Sequence, residues 1–270
     1  MDDQQRLAAY VEVWKQAVDD LVALLGSLPE EEWSTPTDLP GWDVRAVASH
    51  TAHLESRLAG APEETADVGE PPHVTGLMGL YTEIGVLNRR ERSGAEIVAE
   101  IRAAADARYA ALLADPPTDA TELPPVIFGG VPWTWETLLR NRPLDVWMHE
   151  QDVRRAVGRP GGLDSAAARH TADYLAEGLG YVLVKKVGAA PHTVVVLEVE
   201  GSEPVAFTVT PGGRGEPLPV VDREPTVTLR MDRESFVCLA GGRRAAPGRV
   251  EIAGDAELGQ RIVDSLATTP

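Results

Sequence analysis

Hydrophobic residues recur at helical spacing along three stretches in the first half of the chain. In residues 6–28 an apolar side chain returns every three or four positions, and Gly26 ends the pattern. A second helix is predicted to begin after Asp43, whose side chain suits the N-cap position. The third stretch, 78–114, has a helical period but is interrupted at Ser93, where a new helix could start. These patterns predict long amphipathic helices that bury their apolar faces together.

A fourth helical stretch follows a loop rich in proline and glycine over residues 118–133. It is predicted to have Thr134 as its cap and to run to Val157. Pro143 lies inside it and predicts a kink or a restart of the helix in the residues that follow. Four helices without any strand pattern predict an up-down four-helix bundle over residues 1–160.

The hydrophobic pattern changes its period beyond Gly162. One more helix is predicted over residues 164–186, and alternating apolar and polar positions then predict strands. The predicted strands are 192–200, 205–209, 226–231 and 250–252, and two further helices follow the caps Asp232 and Asp255. This order of elements predicts a smaller domain of helices and strands over residues 161–270, so the whole chain is assigned to the α+β class.

The charge and cysteine content of the chain restrict its partners and its location. The formal net charge is -17. Binding to nucleic acid or to an anionic membrane needs clustered lysine and arginine, so both are disfavoured and a small molecule is the expected partner. The sequence has no secretory start and no apolar run long enough for a membrane span. With one cysteine, Cys238, which we interpret as core packing rather than as a nucleophile, a cytoplasmic location is expected.

Asp145 and His149 are the first candidates for chemistry. They stand four residues apart on the predicted fourth helix, so a carboxylate and an imidazole share one face and could form half of a divalent-metal site. The same spacing also occurs in ordinary pairs on a helix surface. His50 and His53, three apart on the second helix, could add a ligand. The alternative places one of these two histidines in a hydrogen bond inside the bundle and the other in solvent.

Three motifs occur in a distinctive order along the chain. They are Gly41-Trp42 followed after seven residues by His50, the series Asp145-x-x-x-His149-x-x-Asp152, and Gly254-Asp255. Together they resemble the mycothiol-dependent maleylpyruvate isomerase family, and the likeness covers nearly the whole chain. The resemblance implies a DinB-like metal-binding helical bundle, followed by a smaller C-terminal α/β domain similar to sterol carrier proteins.

The resemblance also implies a set of metal ligands. In the family a histidine, an acidic residue and a second histidine hold zinc, and these positions fall on His50, Asp145 and His149. The best-known members carry glutamate where this chain has Asp145, so the carboxylate arm is one methylene shorter here. Asp152, one turn beyond His149, could accept the ring N–H of a ligand or pair with an arginine, and both interpretations stay open.

The resemblance further implies a reaction that depends on a thiol. Three protein ligands leave a position that the thiol of mycothiol fills in the family, and a thiol bound to zinc is ionised and nucleophilic. The thiolate can add to an activated double bond and leave again, which is isomerisation, or stay on an electrophile, which is S-transfer. An arginine of the C-terminal domain helps to hold the acidic substrate, and Arg243 is the expected match, with Arg244 next. Surface solvation is the alternative for both arginines.

The leading hypothesis from the sequence is therefore a zinc-dependent enzyme with mycothiol as cofactor or co-substrate and an electrophilic small molecule as substrate. Two alternatives remain open. One is a non-catalytic small-molecule binding protein with a vestigial metal site, which the aspartate at position 145 would suit. The other is a metal-dependent hydrolase that uses bound water and needs no thiol.

Overall fold

The computed structural model describes residues 1–126 and 129–269, and the chain forms two compact units. Unit 1 comprises Met1–Gly161 and unit 2 comprises Gly162–Pro270. Unit 1 is helical, and the described part of unit 2 combines helices with a five-stranded sheet, so the predicted α+β class is confirmed. The described part of the chain contains no helix with the length and apolar character that a membrane span needs.

Unit 1 is built from long helices whose buried faces follow the predicted pattern. They are α1 (Asp3–Gly26), α2 (Val44–Leu58), α3 (Gly76–Arg89), α4 (Gly94–Ala114) and α5 (Trp135–Ala156). Helix α1 packs against α4 and α5, whereas α2 packs against α3, α4 and α5. The bundle is therefore made of α1, α2, α4 and α5, and α3 packs on α2.

Side-chain caps fix where these helices begin. Asp43 and Thr134 cap α2 and α5, each accepting a hydrogen bond from a backbone N–H in the first turn. Ser93 divides the predicted stretch 78–114 into α3 and α4. Its hydroxyl accepts from the backbone N–H of Glu96, and the Glu96 carboxylate accepts from the backbone N–H of Ser93 at 2.9 Å. This reciprocal pair explains why the third predicted helix is two helices in the structure.

Helix α5 follows the predicted loop 118–133, of which positions 127 and 128 lie outside the described residues. The helix continues through Pro143 without a break, so of the two predicted outcomes the restart is wrong and the kink stays a prediction. Pro143 has no N–H to donate to the carbonyl of Leu139, and one helical hydrogen bond is missing there. The residues on both sides of Pro143 are buried, and this tertiary packing keeps the helix continuous. Continuity matters because it keeps Asp145 and His149 in helical register.

The described part of unit 2, residues 162–269, contains one mixed sheet. Its strands are β1 (Val194–Val199), β2 (Val205–Val209), β3 (Gly215–Pro217), β4 (Val227–Met231) and β5 (Glu251–Gly254), in the order β3-β2-β1-β4-β5. β1 and β4 are parallel, and the other neighbours are antiparallel. The helices of the unit are α6 (Ala166–Ala176), α7 (Leu179–Tyr181) with a π-helical turn over Val182–Lys186, α8 (Arg233–Ala240) and α9 (Ala256–Asp264). Cys238 is fully buried on α8, as its interpretation as core packing requires.

Two elements of unit 2 differ from the prediction. The helix expected over residues 164–186 is interrupted after Ala176, where Gly178 and then Gly180 lower helix propensity. Gly180 also lies against β3, because a Cβ there would be only 2.8 Å from the carbonyl oxygen of Gly215. Strand β3 itself was missed, since three residues are too few to show an alternating pattern.

A buried arginine joins α3 to α4 in unit 1. Arg89 is 2% exposed, and its Nη2 donates to Glu64 Oε1 at 2.6 Å and to Glu100 Oε1 at 2.5 Å. Burial alone would raise the pKa of each carboxyl, but the hydrogen bonds from Arg89 outweigh this and the pKa of both Glu64 and Glu100 is lowered. Folding therefore stabilises the ionised form of both side chains.

We predict that Glu100→Gln lowers the free energy of unfolding at pH 7 by about 1–2 kcal/mol, because Arg89 loses one of its two anionic partners. The pKa of Glu100 in the folded protein lies below its ordinary value of 4.5. Its contribution is thus complete above that pH and is lost as the pH falls through the folded-state value. Urea unfolding between about pH 7 and pH 3 should show a weaker loss of stability in the variant than in the wild type.

The matched control for this prediction is Glu91→Gln, which changes an exposed acid next to α3. This variant should keep the stability and the pH dependence of the wild type. An unchanged acid dependence in Glu100→Gln would contradict the assigned role of the Arg89 ion pairs.

Candidate metal centre

Three side chains that can bind a metal converge inside unit 1. His50 lies on α2, Asp145 and His149 lie on α5, and one donor atom of each falls within 4.8 Å of the others. His50 Nε2 is 3.8 Å from Asp145 Oδ2, and His149 Nε2 is 3.8 Å from Asp145 Oδ1. The four-residue spacing sets Asp145 and His149 one turn apart on α5, and the packing of α2 on α5 brings in His50. The structure therefore places the three predicted ligands together.

The donor set fits a divalent ion such as zinc. Two imidazole nitrogens and a carboxylate oxygen are common zinc ligands at about 2.0–2.2 Å, which puts two donors of a tetrahedral site roughly 3.4 Å apart. The two imidazoles each lie 3.8 Å from a different oxygen of Asp145, and the three donor atoms lie within 4.8 Å of one another, so the side chains would have to rotate to bring their donors onto one ion. A set of three protein ligands also leaves room for an external ligand, as catalytic zinc sites do.

The protonation states of His50 and Asp145 suit cation binding. Burial lowers the pKa of His50 to about 4, against an opposing effect of Asp145, so the imidazole is neutral at pH 7 and keeps a lone pair. Burial would raise the pKa of Asp145, but the Arg142 guanidinium and the two imidazoles outweigh it and hold that pKa well below its usual value. The site thus presents a neutral imidazole beside an ionised carboxylate.

His149 is oriented by Asp152. Its Nδ1 lies 3.2 Å from Asp152 Oδ2, and because an ionised carboxylate only accepts hydrogen bonds, Nδ1 carries the proton. The lone pair is then on Nε2, the atom that faces Asp145. Asp152 Oδ1 also accepts from Arg155 Nη2 at 2.6 Å. Asp152 therefore makes both of the contacts that the sequence left open.

Asp145 is held by Arg142, which precedes it by one helical turn. Arg142 Nη1 donates to Asp145 Oδ2 at 2.9 Å, and Arg142 Nη2 donates to Glu55 Oε1 at 2.7 Å. Arg142 and Glu55 are both completely buried. Glu55 also accepts hydrogen bonds from Trp14 Nε1 at 3.1 Å and from Arg108 Nη1 at 3.3 Å. Sequence reasoning missed this network, although the spacing of Arg142 and Asp145 is that of a helical ion pair.

Trp42 packs beside the three side chains. Its ring centroid is 5.1 Å from that of His50 and 6.2 Å from that of His149. The indole N–H donates to Glu83 Oε2 at 2.9 Å. In the sequence Trp42 served only as part of a motif, and no local signal connects it with Glu83 on α3.

His53 lies outside the three-residue group. It is 1% exposed and its ring centroid is 5.0 Å from that of Tyr81. Because His50 is also buried, the alternative interpretation, with one histidine of α2 in solvent, is wrong. Arg243 belongs to unit 2, where it follows α8 and its Nη1 donates to the carbonyl of Gly241 at 2.6 Å. The assignment of Arg243, or of Arg244, to substrate binding stays a prediction.

Comparisons with known protein families assign the chain. The sequence model described as "Mycothiol maleylpyruvate isomerase N-terminal domain" matches residues 14–154, which is more than half of the chain. The chain belongs to the mycothiol maleylpyruvate isomerase family. The model described as "MDMPI C-terminal domain" matches residues 169–261, so both domains of the family are present. The resemblance stated from the three motifs is confirmed.

Solved structures of this family share the fold. A crystal structure of the mycothiol-dependent maleylpyruvate isomerase is 16% identical, with a TM-score of 0.57. A histidine-to-alanine mutant of the mycothiol-dependent maleylpyruvate isomerase is 15% identical, with the same TM-score of 0.57. Each alignment covers 94% of this chain and 96% of the other. At this identity the likeness shows the fold alone. A search among curated proteins gives no match.

We predict that His149→Ala lowers the affinity for zinc more than about 100-fold, because the loss of a direct ligand exceeds the effect of losing an outer partner. Zinc per chain should fall to near zero after dialysis, as measured by elemental analysis. His53→Ala removes a histidine of the same bundle that lies outside the group and should keep the zinc content of the wild type. Full occupancy in the His149 variant would mean that other residues bind the metal.

Proposed function

We propose that this protein is a metal-dependent enzyme that uses mycothiol to act on an electrophilic small molecule. The observation that carries the proposal is the convergence of His50, Asp145 and His149 within 4.8 Å. Membership of the family supports mycothiol as the thiol, and the donor set of two imidazoles and one carboxylate supports zinc. The reaction is either the cis–trans isomerisation of a maleylpyruvate-like substrate or the transfer of sulfur to an electrophile.

His50, Asp145 and His149 would hold the ion, and the residues around them would keep these ligands in their binding forms. An ion held there would supply the positive charge that keeps a neighbouring thiol ionised at neutral pH. Asp152 holds a proton on Nδ1 of His149, which leaves Nε2 as the donor. Arg142 keeps Asp145 ionised and fixes one of its oxygens.

The chemistry of the thiol accounts for both forms of the reaction. In an isomerase the bound thiol would supply a nucleophilic sulfur for reversible addition to an activated double bond, with rotation about the remaining single bond before the sulfur is released, so that no atom would be gained or lost. In S-transfer the new carbon–sulfur bond persists and the substrate takes up a proton or releases a leaving group. An arginine such as Arg243 would bind a carboxylate of the substrate through two parallel hydrogen bonds.

A non-catalytic small-molecule binding protein is the second candidate, and the Arg142–Asp145 contact favours it. The guanidinium donates to Asp145 Oδ2 at 2.9 Å and neutralises part of the charge that a cation would meet. The side chain of Asp145 is also one methylene shorter than that of a glutamate, which likewise favours weak metal binding. In this case the group would bind metal weakly, and unit 2 would carry the small molecule.

We predict that the zinc-loaded protein converts maleylpyruvate, or couples a thiol-reactive electrophile to mycothiol, only when both zinc and mycothiol are present. Chelation should reduce the rate at least about 100-fold, and added zinc should restore it, because ionisation of the thiol needs the ion. The rate is followed by absorbance and the products by mass spectrometry. Turnover that continues without thiol would favour the hydrolase, whereas less than about 0.2 zinc per chain would favour the binding protein.

We predict that Arg243→Ala lowers kcat/KM about 10–100-fold, as expected for the loss of a hydrogen-bonded charge pair with the substrate. The zinc content should not change, because the three predicted ligands belong to unit 1. Arg249→Ala, which removes an arginine of unit 2 whose side chain is 84% exposed, is the matched control. An unchanged kcat/KM in the Arg243 variant would transfer the role to Arg244 or to another residue.

A further inference from the structure

The two predicted imidazole ligands differ in how their rings are held. His149 has a hydrogen bond to Asp152 through Nδ1. The Nδ1 of His50 is buried and has no hydrogen-bond partner among residues 1–126 and 129–269. The ring of His50 instead contacts the rings of Trp42, at a centroid distance of 5.1 Å, and of His149, at 4.9 Å. Aromatic packing therefore holds the ring of His50, whereas a hydrogen bond to a carboxylate holds the ring of His149.

Trp42 is itself fixed by a residue of α3. Its Nε1 donates to Glu83 Oε2 at 2.9 Å, and Glu83 is 5% exposed. His73, on the segment between α2 and α3, places Nε2 at 3.3 Å from the same oxygen of Glu83. A buried carboxylate shared by two ring nitrogens leaves the indole little freedom to rotate.

The residue before Trp42 explains how His73 reaches this position. Gly41 has a φ of +80°, and a Cβ there would lie 2.4 Å from Nδ1 of His73. A side chain at position 41 would be strained and would also displace the imidazole of His73. The Gly41-Trp42 motif thus has a physical reason, since glycine admits His73 and the following tryptophan points to the histidine ligands.

The loop that carries Trp42 reaches His149 by a second route. Asp38 Oδ2 accepts from Arg155 Nε at 2.8 Å, and Arg155 Nη2 donates to Asp152 Oδ1 at 2.6 Å. Asp152 in turn contacts Nδ1 of His149. One short loop before α2 is thus connected to both predicted imidazole ligands, directly through an aromatic ring and indirectly through an ion-pair chain.

We propose that Trp42 is a positioning residue of the metal centre and that the Glu83 carboxylate fixes its indole in place. The inference rests on the proposed function, because it takes His50 and His149 as ligands. A fixed indole restricts the rotation of the His50 ring, and a preoriented ring loses less conformational freedom when it binds an ion. Through Glu83, helix α3 becomes part of the metal site although it supplies no ligand.

Cobalt binding to the full-length, metal-free protein tests this inference without any assay of turnover. The affinity for Co²⁺ is measured by competition with a coloured chelator, and the geometry of the site by the visible absorption bands of the bound ion. Trp42→Phe and Glu83→Leu should each lower the affinity about tenfold and shift the bands, as expected when an outer partner of a ligand is lost. Trp135→Phe, which changes a partly buried tryptophan of the same unit, should leave both readouts unchanged.

Glu83→Gln separates the hydrogen bond from the charge. The amide oxygen of glutamine can still accept the indole N–H, so this variant should retain most of the affinity that Glu83→Leu loses. Glu83→Gln binding as weakly as Glu83→Leu would overturn the inference, because charge alone would then account for the loss. Wild-type affinity and bands in a folded Trp42→Phe protein, checked by circular dichroism, would overturn it as well. Failure of the wild type to bind Co²⁺ would instead overturn the proposed function, and the inference with it.

Discussion

A carboxylate and two imidazoles can share the interior of a helical bundle only when the charges beside them are balanced. An unpaired charge in such an interior costs several kcal/mol, whereas a paired and hydrogen-bonded one is tolerated. In unit 1 the negative Asp145 is balanced by Arg142, which is balanced by Glu55, and Asp152 is balanced by Arg155. Four of these charged residues lie on α5, and Glu55 lies on α2. Asp145 and, through Asp152, His149 therefore each contact a group that is itself held by an ion pair, whereas His50 is held by ring contacts. These ion pairs keep the three donor side chains close together even without a bound metal ion.

The same arrangement explains how the short carboxylate arm of Asp145 is held in this group. On α5 the Asp145 carboxylate lies between Arg142 one turn before it and His149 one turn after it. All three residues lie on one face of that helix. Arg142 orients the carboxylate and lowers the pKa of its acid, which favours a metal, but it also competes with the metal for one oxygen. The affinity of the site depends on the balance of these effects.

Local rules were enough to predict the elements that carry the site. Apolar spacing and the caps Asp43 and Thr134 predicted α2 and α5, and the four-residue spacing paired Asp145 with His149. The same rules missed β3, which pairs with β2 through only three residues, because nothing in so short a segment alternates. They also missed contacts between distant segments, such as Arg142 with Glu55 and Trp42 with Glu83. Side chains far apart in sequence leave no periodic trace, so only the packing of the helices brings these pairs together.

The predicted metal ligands and the predicted substrate-binding arginine belong to different units of the chain, and the two functions constrain the sequence differently. All three predicted ligands and the groups that orient them belong to unit 1, whereas the arginine predicted to bind the substrate belongs to unit 2. Metal binding tolerates little change, because donor atoms must meet one ion within a few tenths of an ångström. Recognition of a carboxylate requires only one suitable arginine side chain. In a related protein this arginine can therefore stand at a different position in the sequence. At 15–16% identity the solved structures share the fold with this chain, and the proposed metal centre and substrate are argued from the residues of this chain alone.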